Sequence, residues 1–580
     1  MNVERIKTHL QMANPTKLTS FIGKNNMDLL VECNFNNVEN IVSSENLANM
    51  ILALKGEKIF DDPEIRIELL CYLTNEEIGK IVDLMGIEYK EKSDIKRVIE
   101  TFSNVKWKLS DINKAFLDCF EIDADKYFDK NNYLNENSIQ EIIPGQISED
   151  NKSFFELKDY QFVVKQRCLN RLENNEIPRK NMLIRMPTGT GKTKTMMHII
   201  TSYIAKTMKN EGLVLWITDR KELLEQAADS FRKTWEHLGN EKIKLYRLWE
   251  DYDFNEEELE NGILFSGKQK LERILGSSKY EKIHKLTKLI IYDEAHIAMA
   301  PETRKILRDL NCRGNINKEY RPMIGLTATP GRIDELESKV LSDMFDNYPI
   351  GIDIDILNQL NLSKNEYANL QGDEKIIKYL QKRRILSKIE KKELEYEGLS
   401  KEELVEIVNQ IEQIKDGKEF PEKILKQIET NKSRNKAILK ELKELNEKGI
   451  PTIVFACSVD HAKTLSAILT MNGINNVSVY GETPSNERKE NLRKFKNNEV
   501  KILINFGVLT TGFDSTNIRC VLITRPTNSV SLYSQMIGRG LRGPEMGGNE
   551  TCLLIDVKDN LKKYSAETAF EHFNKYWGGK

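Results

Sequence analysis

Apolar residues change rhythm three times along the chain. From residue 1 to about 150, short stretches of helical period alternate with Asn-rich turns such as NFNNVEN and DKNNYLNENS, with no strand-and-helix alternation. The pattern predicts an α-helical accessory domain over residues 1–150. From about 155 to 345, the apolar runs NMLIR, LVLWIT, GILFS, KLIIYDE and MIGLTA alternate with helical patterns, and the same rhythm returns in PTIVFA, VSVYG, VKILIN, CVLIT and TCLLID between 450 and 556. Such alternation predicts an α/β protein with two largely parallel sheets in tandem, placed here at residues 151–350 and 441–580. Between them, 36 of the 80 residues from 371 to 450 are charged, and Leu404, Ile407, Ile411 and Ile414 recur at heptad-like spacing. We expect a charged helical insertion over 351–440, with a stripe able to pack on its own lobes or on another protein.

At 580 residues the chain is too long for one core and is not a small disulfide-stapled scaffold. Its 87 Lys+Arg nearly balance 89 Asp+Glu, so net charge does not advertise a polyanionic partner. The eight cysteines form no CxxC pair and the seven histidines no HExxH, which argues against a zinc site and for reduced thiols in the cytoplasm. No apolar run reaches the ~20 residues of a membrane span, and the first residues lack the charged and apolar regions of an export signal.

Chemistry enters at IRMPTGTGKTKTMM, from Ile184. An apolar strand is followed by the loop Pro187 to Gly191 and then by a helix with Met196, Ile199 and Ile200 on its apolar side. Gly189 and Gly191 allow backbone angles that aim several N–H groups inward, Thr188 and Thr190 alternate with them, and Lys192 adds a full charge at a helix N-terminus. That combination holds a polyphosphate. Thr193 offers a hydroxyl for Mg²⁺. The loop departs from G-x-x-x-x-G-K-[ST] only where Met186 stands in the first glycine position. A second motif, KLIIYDEAH, ends a buried-strand pattern with Asp293 and Glu294, where parallel sheets build their sites. Asp293 suits the metal, and Glu294 the orientation and deprotonation of a water.

Further along stand GLTATP (Gly325 to Pro330), GVLTTGFD (Gly507 to Asp514) and SQMIGRGLRG (Ser534 to Gly543). In order and spacing the set resembles the superfamily-two helicases and translocases over about residues 155 to 560. These three segments look like motifs III, V and VI, KDYQ like the Q motif, and ITDRKELLEQ and ILFSGKQKL like motifs Ia and Ib. The resemblance implies two RecA-like lobes with ATP and Mg²⁺ between them. Lys192, Thr193, Asp293 and Glu294 would belong to the first lobe, and Arg539 and Arg542 would reach across from the second. It further implies adenine reading by Gln161 beside Tyr160, coupling through Thr327 and Thr329, sensing of ATP and strand by Gly512 and Asp514, and nucleic acid across Arg220, Gln269 and Ser458.

The spelling TATP and the QMIGRGLR of the last motif are closest to the motors of type I and type III restriction enzymes and to UvrB-like DNA repair proteins, so DNA is the expected partner. An RNA helicase and an ATP-gated clamp that recruits a partner without unwinding stay open. In the N-terminal region, LTNEEIGKIVDLMGI and KSDIKRVIETF read as two helices joined by a turn bearing Lys90, Lys92 and Lys96. A solvated hairpin face is the first reading, and a hairpin loosely like the SAP type the second. No strand pattern frames Asp61 or Glu88 as a nuclease centre, so cleavage would fall to a partner such as a nuclease subunit.

Overall fold

The computed structural model describes residues 3–35, 41–89, 94–128, 140–145, 156–250, 252–295, 301–312, 320–328, 335–352, 372–396, 420, 422–509, 513, 515–527 and 530–557. Two sheets organise them. The first holds β1 (Gln140–Ile143), β2 (Met182–Arg185), β3 (Leu213–Thr218), β4 (Ile243–Leu248), β5 (Gly262–Gly267), β6 (Thr287–Asp293), β7 (Met323–Thr327) and β8 (Pro349–Gly351), in the order β1-β4-β5-β3-β6-β7-β2-β8. The second holds β9 (Lys388–Leu394), β10 (Thr452–Phe455), β11 (Asn476–Tyr480), β12 (Ile502–Phe506), β13 (Cys520–Ile523) and β14 (Thr551–Val557), in the order β11-β12-β10-β13-β14-β9. Pairing is parallel throughout except for β1 on β4. Central strands such as β3, LVLWIT, are buried at every position because helices cover both faces. The parallel-sheet lobes are therefore those of tandem RecA-like domains.

Two strands lie where helix was expected. β1 falls within residues 1–150 yet joins the edge of the first sheet. Glu141 fixes it there, with Arg232 Nε at 2.9 Å and the buried Arg247 Nη2 at 2.7 Å. Four residues between unpatterned stretches carry too little periodicity to be read as a strand. β9, KIEKKEL, falls within 351–440 and pairs with β14 along its whole length. It is an edge strand, and the charges that keep such an edge from pairing with other chains also conceal it from hydrophobic pattern. The helices Gly372–Lys382, Glu422–Glu429 and Lys432–Glu447 share that region, whereas Leu404, Ile407, Ile411 and Ile414 lie outside the described residues.

The N-terminal helices have clear local causes. Ser43 and Ser110 cap Ser44–Lys55 and Asp111–Asp118, and Thr74 forms a reciprocal capping box with Glu77 at the start of Asn75–Met85. Their packing is less local. Leu29, Leu30, Leu47, Met50 and Ile51 share one apolar cluster with Ile438, Leu439, Leu442, Leu465 and Ile468 on the helices Lys432–Glu447 and Val459–Met471 of the second lobe. Phe35 donates its N–H to Asn472 Oδ1 at 2.9 Å, and Lys436 meets Glu32 at 3.4 Å. The bundle thus rides on the second lobe while the chain returns through β1 to the first. Deleting residues 1–128 should uncover that apolar face and lower the melting temperature by at least about 5 °C. An unchanged melt would show the bundle to be separable.

Candidate functional site

The first lobe builds its site at the carboxyl end of β2. Met186, in the position where the general pattern has glycine, is fully buried and donates its N–H to Thr327 O of β7 at 3.2 Å. It follows β2 directly and has no positive φ, so no glycine is needed there. The turn follows. Gly189 and Gly191 hold φ of 85° and 82°, and Thr190 closes the loop by donating Oγ1–H to Pro187 O at 2.6 Å. The helix Lys192–Tyr203 starts directly after Gly191. Thr193, in its first turn, is half-buried.

Tyr160 and Gln161, on the helix Asp159–Glu173, both donate to the carbonyl of Thr190, at 2.8 Å from Oη and 2.9 Å from Nε2. Gln161 Oε1 accepts from Lys158 N–H at 2.9 Å. A methyl group at Gly191 would lie 2.3 Å from Gln161 Nε2. The residues expected to recognise a base therefore also staple the loop, and glycine at 191 makes room for the staple.

β6 ends in Asp293, and Glu294 turns sharply away with φ of 55°, its N–H donated to Asp293 Oδ1 at 3.0 Å. Lys192 Nζ lies 3.9 Å from Asp293 Oδ1 and 3.7 Å from Glu294 Oε1. Both carboxylates are buried. Burial pushes the Asp293 carboxyl up to about 6, Lys192 opposes the rise and the Glu294 charge adds to it. Among the described residues, Asp293 and Glu294 thus bring carboxylate oxygens together beside Lys192, a donor set that fits a hard divalent cation.

A stability prediction follows from that raised carboxyl. The raised carboxyl disfavours the folded state above about pH 6, and the penalty fades as pH falls through 6 toward the ordinary value of 3.8. Asp293→Asn should therefore stabilise the metal-free, nucleotide-free protein at pH 7.5 by on the order of 1–3 kcal/mol, and by roughly half as much at pH 5. Melting curves at the two pH values check it; an equal gain at both would refute the electrostatic cause.

The second lobe closes over this loop. A methyl group at Gly538 would lie 2.2 Å from Thr188 Cγ2, and one at Gly189 would lie 3.2 Å from Leu386 Cδ2 and 3.7 Å from the Leu541 carbonyl. Arg539 donates Nη1–H to Phe513 O at 2.6 Å and Nε–H to Gln535 O at 3.3 Å. The Arg542 carbonyl accepts from Ser387 Oγ at 2.6 Å. Lys158 meets Glu545 at 2.7 Å, and Arg383 pairs with Asp159. The stretch from Arg383 to Ser387, which stitches the arginine-bearing loop in place, carries no motif in the sequence. Its only signal is position, between the two lobes.

Arg220, Gln269 and Ser458 follow β3, β5 and β10 and sit at the starts of helices, Arg220 and Ser458 half-buried and Gln269 exposed. They thus share the carboxyl edges of the sheets with Lys192 and Asp293. Thr327 is buried at the end of β7. Thr329, Gly512, Asp514, Lys90 and Lys92 lie outside the described residues.

Residues 154–332 match the family of the type III restriction enzyme res subunit, and residues 433–543 match the helicase conserved C-terminal domain. The chain belongs to the superfamily-two helicase family. This helicase is 29% identical over 393 residues to IRC3 of Saccharomyces cerevisiae, covering 67% of this chain and 49% of that protein. It is 28% identical over 415 residues to irc3 of Schizosaccharomyces pombe, covering 70% and 58%. Both are named as ATP-dependent helicases, the second as mitochondrial, and the chain spans only about half their length. Among solved structures, S. cerevisiae Dbp5 bound to RNA and ADP BeF3 shows a TM-score of 0.46 at 15% identity, covering 72% of this chain and 87% of that one. Among the described residues, no helix of this helicase is long and apolar enough to cross a membrane.

Proposed function

We propose that this helicase is a DNA-dependent ATPase that couples hydrolysis to movement along, or remodelling of, DNA in restriction, repair or antiviral defence. The observation that carries the ATP reading is the meeting of the two lobes on one loop: Lys192 lies between Asp293 and Glu294 below it, and Gly538 and Leu541 press on Thr188 and Gly189 from above. A triphosphate on that loop would have cationic groups on both sides. In this reading Thr188 to Thr193 hold the phosphates, and Thr193 and Asp293 would hold Mg²⁺, which neutralises charge on the terminal phosphates. Glu294 orients and deprotonates the water. Arg542 or Arg539 stabilises the charge that develops, Tyr160 and Gln161 take the base, and Gly512 and Asp514 sense nucleotide and strand.

Arg220, Gln269 and Ser458 would contact the backbone of the nucleic acid, which positions without reading sequence. The motif spellings TATP and QMIGRGLR, together with the match to a restriction-enzyme family, favour DNA. The free state of all eight thiols supports a reducing compartment such as the cytoplasm. Hydrolysis measured with duplex DNA, single-stranded DNA and RNA tests the reading, with DNA expected to stimulate and stimulation by RNA alone refuting it. Strand and triplex displacement separate a motor from a clamp. Stimulated hydrolysis without displacement would favour the clamp and recruitment of a partner such as a nuclease subunit.

A further inference from the structure

Behind Ser458 lies a buried polar network that the ATP site does not use. Arg434, on the helix Lys432–Glu447, is 0% exposed. It donates Nη2–H to the carbonyl of Thr524, just past β13, and Nη1–H toward Cys457 Sγ at 3.9 Å, just past β10. Cys457 Sγ–H also donates to Thr524 O, at 3.0 Å. A guanidinium is costly to bury, and its placement between two strand ends fixes them to each other.

His461 completes the network and is likewise buried. The backbone N–H of Cys457 reaches His461 Nδ1 at 3.2 Å. A backbone amide can only donate, so Nδ1 accepts and the ring proton sits on Nε2. Nε2–H then donates to Asn435 Oδ1 at 3.1 Å, and Asn435 Nδ2–H donates to Glu429 O at 2.6 Å. The ring is kept neutral by burial and by the charge of Arg434. On its other side, His461 N–H donates to Ser458 Oγ at 3.0 Å, which makes Ser458 the cap of Val459–Met471. Ser458 keeps its own hydroxyl proton for another acceptor, at the N-terminus of that helix.

We infer that Arg434 and His461 are positioning residues that hold the loop Cys457–Ser458 and the helix turn it opens in the geometry that contacts a nucleic-acid phosphate. The inference rests on the nucleic-acid-dependent hydrolysis proposed above. The active link is from His461 Nδ1 to the Cys457 amide, whereas the link from Nε2 to Asn435 only fills the interior. The same Arg434 contact ties this loop to the end of β13, from which the chain continues to Arg539 and Arg542.

The test separates the two links. In His461→Asn the side-chain oxygen takes the place of Nδ1 and keeps the bond to Cys457. In His461→Gln the amide takes the place of Nε2 and keeps the bond to Asn435. Each leaves one buried group unpaired, so a role in folding alone would move their melting temperatures and their kinetics alike. The expected result is that His461→Gln raises the concentration of duplex DNA giving half-maximal ATPase stimulation by about fivefold or more, with the rate at saturating DNA retained. His461→Asn should stay within about twofold of the parent. In a Ser458→Ala background the shift caused by His461→Gln should largely disappear, since both act through one contact. Equal shifts for the two variants, or a shift that persists undiminished without the Ser458 hydroxyl, would overturn the inference while leaving the proposed function standing. Absence of stimulation of the parent protein by any nucleic acid would overturn both.

Discussion

Replacing Lys192 by alanine should abolish hydrolysis and also weaken nucleotide binding, whereas Glu294→Gln should abolish hydrolysis and leave the nucleotide bound. The difference follows from what each group meets. Lys192 carries the one ammonium seen between Asp293 and Glu294, at 3.9 and 3.7 Å, and a triphosphate would compete with those carboxylates for it. Removing it strips charge from the bound ground state and from the transition state together, so binding and turnover both fall. It also leaves two buried carboxylates without their cation, which raises the cost of bringing a further anion into the site.

Glu294→Gln keeps size and removes the basic oxygen. A base in this role is worth roughly 10²–10⁴-fold in rate. Loss of that magnitude in single-turnover hydrolysis, with nucleotide affinity changed by less than about threefold, is the expected outcome. More than a tenth of the parent rate remaining in Glu294→Gln would assign the water to another group.

The site could be read from the chain wherever chemistry and local backbone coincide. Gly189 and Gly191 need positive φ, Lys192 must follow them at a helix start, and Asp293 must end a buried strand; each requirement is written in adjacent residues. Met186 breaks the usual spelling because its backbone needs no positive φ and its N–H still bonds to the end of β7, a contact that the sequence does not show. Interactions between distant residues left no such trace. Glu141 is one acidic residue among many until Arg232 and Arg247 close on it across β1 and β4. β9 is hidden by its own lysines and glutamates. The stretch Arg383–Ser387 matters through the amide and hydroxyl of Ser387, which donate to the carbonyls of Leu541, Arg542 and Asn549, and backbone acceptors have no sequence signature.

The same reasoning explains why Arg434 gives no warning in the sequence. In a helix as charged as KSRNKAILKELKELNE, one arginine among several basic residues reads as surface. Burial decides otherwise, because the helix turns Arg434 toward the ends of β10 and β13 together with Ile438 and Leu442 at helical spacing. Periodicity placed the apolar residues on that face, and a charged residue on the same face is the informative exception.

The two arginines of the second lobe should separate by the rate they affect. In the closed arrangement the guanidinium of Arg539 is already bonded to Phe513 O at 2.6 Å and to Gln535 O at 3.3 Å, so it holds Phe513. Arg542 follows Leu541, whose carbonyl carbon comes within 3.7 Å of a methyl group built at Gly189, and its backbone is clamped by Ser387. We propose on that backbone placement that Arg542 is the group that reaches a terminal phosphate, and that Arg539 relays to it the segment proposed to sense the strand. Arg542→Ala should lower kcat by about 10³–10⁵-fold with or without nucleic acid, the range for loss of a transition-state arginine, while nucleotide affinity changes little. Arg539→Ala should keep most of the unstimulated rate and lose the increment that nucleic acid adds. The opposite split would make Arg539 the group that leaves its carbonyls for the phosphate, at the cost of two charge-assisted hydrogen bonds that the nucleotide would have to replace.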